Sequence, residues 1–258
     1  MKNKLWIPVI AILLLTSVDT FGQAGQRWKL RRYELDIYLA GVAFHGDIGK
    51  ANEPFANMFN GFRPSVGVNP RFYILEDLAV SLDLAWLMYG GRDDEISSHG
   101  RYYSFNTNAF VHGIRAEYYI LGTRGPSISG AIYNRKGMVN NYNQLYLYIY
   151  GGASGVLSKA KVKDLNNNGE EPLSNPGYNN NLVYSAVFPV GVGLKWSLDP
   201  RWSIGAEFGY CFSLSDYLDG YASEWSEYND SYYTISVKGI LKIRNDRNGR
   251  PIFKKLYR

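Results

Sequence analysis

The chain is poor in the residues that build most catalytic and metal centres. Its 258 residues include one cysteine and three histidines. A lone cysteine, Cys211, excludes an internal disulfide. No histidine or other base falls near it in the pattern, so it reads as a small packed residue rather than a reactive thiol. No serine lies in a nucleophile motif. Beyond the first residues there is no run of ~18 apolar residues, which excludes a transmembrane helix. Charge of one sign is also in short supply. The formal charge is +5, and about +4 without Lys2, Lys4 and Asp19 of the leader. That excess is too modest to argue for a nucleic-acid partner.

The leader itself is legible. Lys2 and Lys4 precede an apolar run, Leu5–Leu15, which is too short to cross a ~30 Å hydrocarbon core as a helix. Small and polar residues follow, up to Phe21-Gly22-Gln23. This is the pattern of a secretory signal peptide over residues 1–22, cut near Gly22 or Gln23. No cysteine sits at that point, so no lipoprotein anchor is expected. An exported chain without a spanning helix is secreted, periplasmic or an outer-membrane barrel.

What the chain has in quantity is tyrosine (22) and glycine (27), with 16% aromatic residues overall. The stretch Asn181–Ser215 shows how they are used. Leu182, Tyr184, Ala186, Phe188, Val190, Val192, Leu194 and Trp196 occupy every second position. After the short turn 197–201, Trp202, Ile204, Ala206, Phe208, Tyr210, Phe212 and Leu214 repeat the pattern. The intervening residues are mostly small, polar or charged. Strict period-two alternation is strand, and a greasy face ending in tryptophan is how a lipid-facing barrel strand reads.

The same rhythm recurs along the chain. Strands are expected near Tyr33–Phe44, Phe62–Tyr73, Leu78–Tyr89, Phe105–Ile120, Gln144–Leu157, Leu182–Trp196, Trp202–Leu214 and Tyr232–Arg244. His112 breaks the outward face of the fourth. In the fifth, Leu145, Leu147, Ile149 and Ala153 oppose Tyr146, Tyr148 and Tyr150, and polarity does not rank the two faces. Long connections at 45–61, 90–104, 158–181 and 215–231 alternate with short ones at 74–77 and 197–201; Leu121–Asn143 is the exception. The expected fold is all-β: an eight-stranded antiparallel up-and-down transmembrane β-barrel over residues 23–244, both ends periplasmic, in the bacterial outer membrane with its lipids as partners. A basic periplasmic tail, 245–258, closes the chain.

Eight strands leave an interior just wide enough for side chains. Glu34, Asp36, Arg71, Asp83, Arg115, Glu117, Lys195, Glu207 and Lys238 fall on the inner faces. With five acids and four bases, they are expected to form a plugged, ion-paired lumen; a conducting polar channel is the rival reading.

Other candidate chemistry is thin. His45, His99 and His112 with Asp47, Asp93 and Asp94 supply the ingredients of a rim hydrolase or acyltransferase, but only geometry makes a triad. Asp164-Leu165-Asn166-Asn167-Asn168-Gly169 matches half of a calcium loop, with Asn175 where a bidentate Glu is needed. It reads as an Asx-rich turn. No metal or cofactor is expected. The loop 215–231 carries Asp216, Asp219, Glu224, Glu227 and Asp230 without a lysine or arginine. The tail is the opposite, with Arg247, Arg250, Lys254 and Lys255 interspersed with Phe253, Leu256 and Tyr257. It is either a solvated end or a dock for an acidic periplasmic partner.

Several strings carry a family resemblance. They are Phe44-His45-Gly46-Asp47, Arg63-Pro64-Ser65-Val66-Gly67, Arg71-Phe72-Tyr73, Arg135-Lys136-Gly137-Met138 with Asn140-Asn141-Tyr142, and Asp216-Tyr217-Leu218-Asp219. In this order and spacing the chain, from about Tyr33 to Arg244, resembles the PorG-like outer-membrane barrels of Bacteroidetes, components of the type IX secretion system. Lys136 stands where a second arginine is expected. The resemblance implies a non-enzymatic role and periplasmic association with secretion-system ring proteins or a lipoprotein. The docking surface is then expected at Arg135, Lys136, Asn140, Asn141 and Tyr142, with Arg247, Arg250, Lys254 and Lys255 adding charge.

Overall fold

Alternation along the chain becomes a closed sheet in the computed structural model. It describes residues 32–46, 48, 62–93, 102–121, 132–134, 137–139, 144–167, 169–172, 177–179, 181–199, 201–222, 229–243, 245 and 250–252. The strands are β1 (Tyr33–His45), β2 (Arg63–Tyr73), β3 (Leu78–Arg92), β4 (Tyr103–Leu121), β5 (Ile132–Asn134), β6 (Gly137–Val139), β7 (Gln144–Asp164), β8 (Val183–Ser197), β9 (Trp202–Ser213) and β10 (Ser231–Ile243).

Eight of these close an antiparallel barrel in the order β1-β10-β9-β8-β7-β4-β3-β2. The seam is a full ladder: Tyr33 opposes Ile243 and His45 opposes Ser231, with every residue between them paired. Closure leaves no first or last strand exposed as a sheet edge along this seam. The remaining two strands, β5 and β6, form a separate hairpin within the connection 121–143. The sequence left that connection unresolved; Ile132 pairs with Val139 and Asn134 with Gly137 there.

The outer face is a hydrocarbon-compatible girdle. Leu39, Trp86, Ile114, Leu145, Tyr184, Val192, Trp202 and Val237 are all exposed. An exposed apolar surface that encircles the barrel is not tolerated by a water-soluble protein. Lipid in its place satisfies the apolar side chains, and barrel closure satisfies the backbone. The chain is a transmembrane β-barrel.

Two strands run far beyond the span that lipid requires. A tilted membrane strand needs about 9–11 residues, whereas β4 has 19 and β7 has 21. The fourth and fifth strands expected from the sequence, ending at Phe105 and Leu157 on this side, are therefore too short. Beyond the girdle the polarity of the two faces inverts. Tyr103, Phe105, Val156, Ala160 and Val162 are buried inside, while Asn106, Asn108, Lys159, Lys161 and Lys163 are exposed outside. Water replaces lipid there, so the rule of apolar residues outward no longer holds.

Tyrosine and glycine meet across neighbouring strands inside the barrel. Gly193 on β8 faces the ring of Tyr148 on β7, and Gly67 on β2 faces that of Tyr38 on β1. A Cβ at either glycine would collide with the ring. The glycines thus let large rings lie flat against the wall, which an eight-stranded interior needs if it is also to hold charges.

Candidate functional site

The lumen divides into two layers. At the end carrying the turn Ile74–Asp77 and the barrel's first and last strand termini, the inner faces bring charges together. Arg71 on β2 is the hub. Its guanidinium reaches Glu34 at 2.9 Å, Asp36 at 2.7 Å and Glu117 at 2.6 Å. Arg115 bridges Glu117 at 3.3 Å and Glu207 at 3.2 Å. Lys195 lies 2.5 Å from Glu34. Lys238 pairs with Glu207 and sits 3.8 Å from Asp36. All of these side chains are buried.

Ion pairs this dry need more than Coulomb attraction, because desolvating each charge costs several kcal/mol, on the order of the pair's own gain. Hydroxyls fill the remaining valences. Tyr148 donates to Glu207 at 2.5 Å, and Ser81 donates to Glu117 at 2.8 Å. The Lys195 ammonium also donates to Tyr73, 2.9 Å away. Arg115 lies over the Tyr150 ring at 4.4 Å from its centroid, a cation–π contact. Asp83, the ninth charge, has no cation at salt-bridge distance among the described residues; Tyr38 and Asn69 donate to it at 2.9 and 3.1 Å.

Toward the other end the lumen turns apolar. Val42, Phe44, Leu87, Tyr89, Phe105, Val111, Val156 and Tyr232 pack into one cluster with Ile48 and Leu218 from the long connections. Phe44 stacks on Tyr89 at 5.0 Å, and Tyr89 on Tyr232 at 6.1 Å. Leu218 is fully buried, and its carbonyl accepts from Thr107 at 3.2 Å. A small cavity separates the layers, with Asp83, Arg115 and Glu207 on one side and Leu87, Val111 and Tyr232 on the other.

Residues 214–222, after β9, pack into this end, and two acids explain how. Asp230 accepts the Leu218 amide at 2.7 Å. Asp219 accepts the amides of Ile48 at 3.1 Å and Tyr221 at 2.9 Å. Gly220 follows with a φ of +83°, a conformation glycine adopts without strain. Two acids of the polar loop 215–231 are therefore buried backbone acceptors.

A scan against protein-family models finds no match, and a search of curated proteins finds none. Solved structures do share the architecture. The attachment invasion locus protein of Yersinia pestis, in complex with the heparin analogue sucrose octasulfate, aligns over 82% of this chain and 97% of its own at 12% identity and a TM-score of 0.42. Neisserial surface protein A aligns over 81% and 96% at 13% identity and a TM-score of 0.40. OprG from Pseudomonas aeruginosa aligns over 83% and 97% at 8% identity and a TM-score of 0.37. The likeness is one of fold.

The remaining sequence candidates are scattered. His112 faces outward on β4, stacked between Phe110 and Tyr184, both 6.0 Å away between ring centroids. It belongs to the lipid-facing aromatic surface. Cys211 is buried in the apolar cluster. Asp164 closes an Asx turn, accepting the Asn166 amide at 2.9 Å, and Gly169 completes it at φ +80°. Arg135 and Lys136 lie between β5 and β6 in sequence. They, with Asn140, Asn141, Tyr142, Arg247, Lys254 and Lys255, are outside the described residues, as are His99, Asp47 and Asp94. Arg250 is exposed beside Pro251, which bridges back to Asn245.

At the membrane surface on the turn end, Asp199 orders the β8–β9 turn. Its carboxylate accepts the amides of Trp202 and Arg201, each at 2.6 Å. Those two donors hold its carboxyl below the usual aspartate range, because they favour the charged form.

Proposed function

We propose that this protein is a non-enzymatic outer-membrane barrel that anchors or helps assemble a protein secretion system of the type IX kind, docking a periplasmic ring protein or lipoprotein. The observation that supports the reading is the filled lumen. A cross-linked layer of ions and tyrosines occupies one end, and an apolar plug tied to Leu218 and Ile48 occupies the other. Such an interior favours work done by outer surfaces rather than by passage through the barrel. The girdle fixes the barrel in lipid, and the sequence resemblance directs attention to the connection 121–143 and the tail 245–258. Arg135, Lys136, Asn140, Asn141 and Tyr142 form the primary docking set, with Arg247, Arg250, Lys254 and Lys255 in support. Orientation follows the usual arrangement of such barrels, in which short turns and termini are periplasmic.

Affinity purification from detergent-solubilised envelopes tests this. Deleting 246–258, or combining Arg135→Glu with Lys136→Glu, leaves the barrel inserted and removes a co-purifying periplasmic protein. Undiminished recovery of that protein with inserted variants overturns the reading.

A further inference from the structure

The extensions of β4 and β7 beyond the girdle carry a feature that the docking reading does not use. Lys159, Lys161 and Lys163 occupy three successive outward positions on β7, and all three are exposed. Their cross-strand neighbours on β4 are Asn108, Asn106 and Ser104. Arg92, exposed at the end of β3, opposes Ser104 from the other side. One outer face of three adjacent strands thus presents four cations separated only by small neutral polar residues.

Among the described residues no carboxylate is paired with them. Among the described residues none of the three lysines has an ion pair or hydrogen-bond partner. The nearest acids along the hairpin accept local hydrogen bonds, Asp164 from the Asn166 amide and Glu170 from the Asn167 side chain. Arg92 contacts Tyr102, lying 4.9 Å from its ring centroid, which fixes its direction without neutralising it. Ala160 and Val162 alternate with the lysines and are buried, which sets the outward direction of the lysines.

Position relative to the membrane decides what such a face meets. Leu157 and Phe110, paired across the two strands, are the last apolar residues of the girdle here. At a rise of roughly 3.3 Å per residue and a tilt of about 45°, Lys159, Lys161 and Lys163 stand roughly 5, 9 and 14 Å beyond them. The polar layer of a leaflet is about 5–7 Å deep. The first lysine therefore lies within that layer, the second about 2 Å past its outer limit, and the third with Arg92 about 7 Å past it, at the height of attached sugars.

We infer that this face of β3, β4 and β7 binds the phosphorylated headgroup of a glycolipid in the outer leaflet. Phosphate supplies the missing anions, and the Asn106, Asn108 and Ser104 side chains supply hydrogen-bonding partners for sugar hydroxyls between them. The girdle directly beneath supplies contacts for the same lipid's acyl chains. The inference takes the long-connection end as external but is otherwise independent of the periplasmic partner.

Native mass spectrometry of the full mature barrel in detergent tests it, with bisphosphorylated lipid A as the probe. The variant Lys159→Gln/Lys161→Gln/Lys163→Gln is expected to bind the probe about a hundredfold more weakly, near fivefold per lysine. Dephosphorylated lipid A should bind the native barrel as weakly as the phosphorylated form binds the variant. Unchanged heat-modifiable gel mobility confirms that the variant is folded, which separates loss of the site from loss of the barrel. Equal binding by native and variant barrels overturns the inference. So does equal binding of the dephosphorylated lipid. Inorganic phosphate or a soluble sulfated sugar binding as tightly as the lipid also overturns it, since the face would then be a soluble-anion site.

Discussion

Replacing Arg71 with methionine tests whether the lumenal ions form one cooperative unit. Arg71 touches three carboxylates, and their fates differ once it is gone. Glu34 keeps Lys195 at 2.5 Å, and Glu117 keeps Arg115 at 3.3 Å. Asp36 keeps only Lys238, 3.8 Å away, and its side chain has no solvent exposure. The variant therefore leaves one nearly orphaned buried carboxylate, which places the loss at about 3–5 kcal/mol. The second variant, Arg71→Met with Asp36→Leu, removes the orphan and should recover at least half of that loss, because the two sites share an interaction. Urea unfolding in lipid vesicles measures both, with the lipid-facing Trp86, Trp196 and Trp202 as reporters of insertion. A single variant within about 1 kcal/mol of the native barrel would refute the reasoning, as would losses that simply add in the double variant.

Other expectations follow from single contacts. Gly193→Val drives a side chain into the Tyr148 ring, detaching its hydroxyl from Glu207; an overpacking cost of about 1–3 kcal/mol is expected in the same unfolding assay. Leu218→Ser loosens the plug without touching the barrel wall, so protease cleavage within 214–230 should accelerate while the global unfolding midpoint stays put. Asp199 has a depressed folded pKa, so its contribution is present above the unfolded value of about 3.9 and is lost as pH falls through the lower folded one. Amide exchange at Trp202, compared between native protein and Asp199→Ala from about pH 5 down to 2 and corrected for intrinsic rates, should converge only at the acid end.

How far the sequence could be read depended on which solvent faced each residue. In β8 and β9 lipid lies outside and packed side chains inside, so alternation gave both faces and the inward direction of Lys195 and Glu207. It ranked the faces of β7 poorly, because tyrosine suits either environment; the glycines at 191 and 193 opposite Tyr150 and Tyr148 were the usable signal. The ends of β4 and β7 were missed for a definite reason. Past Leu157 the run Lys159-Ala160-Lys161-Val162-Lys163 keeps period two but reverses its sign, which reads as a loop if apolar residues are required to face outward. The plug was missed because Asp219 and Asp230 resemble solvated loop acids until their amide partners, up to 171 residues away, are placed beside them. Local pattern carries no trace of such contacts.

Single-channel recording on the purified barrel in a planar bilayer tests the central claim most directly, since the proposed role rests on a filled lumen. The native protein should insert without conductance steps above baseline at moderate voltage. Reproducible ohmic steps from the native barrel would contradict the account and favour a small channel.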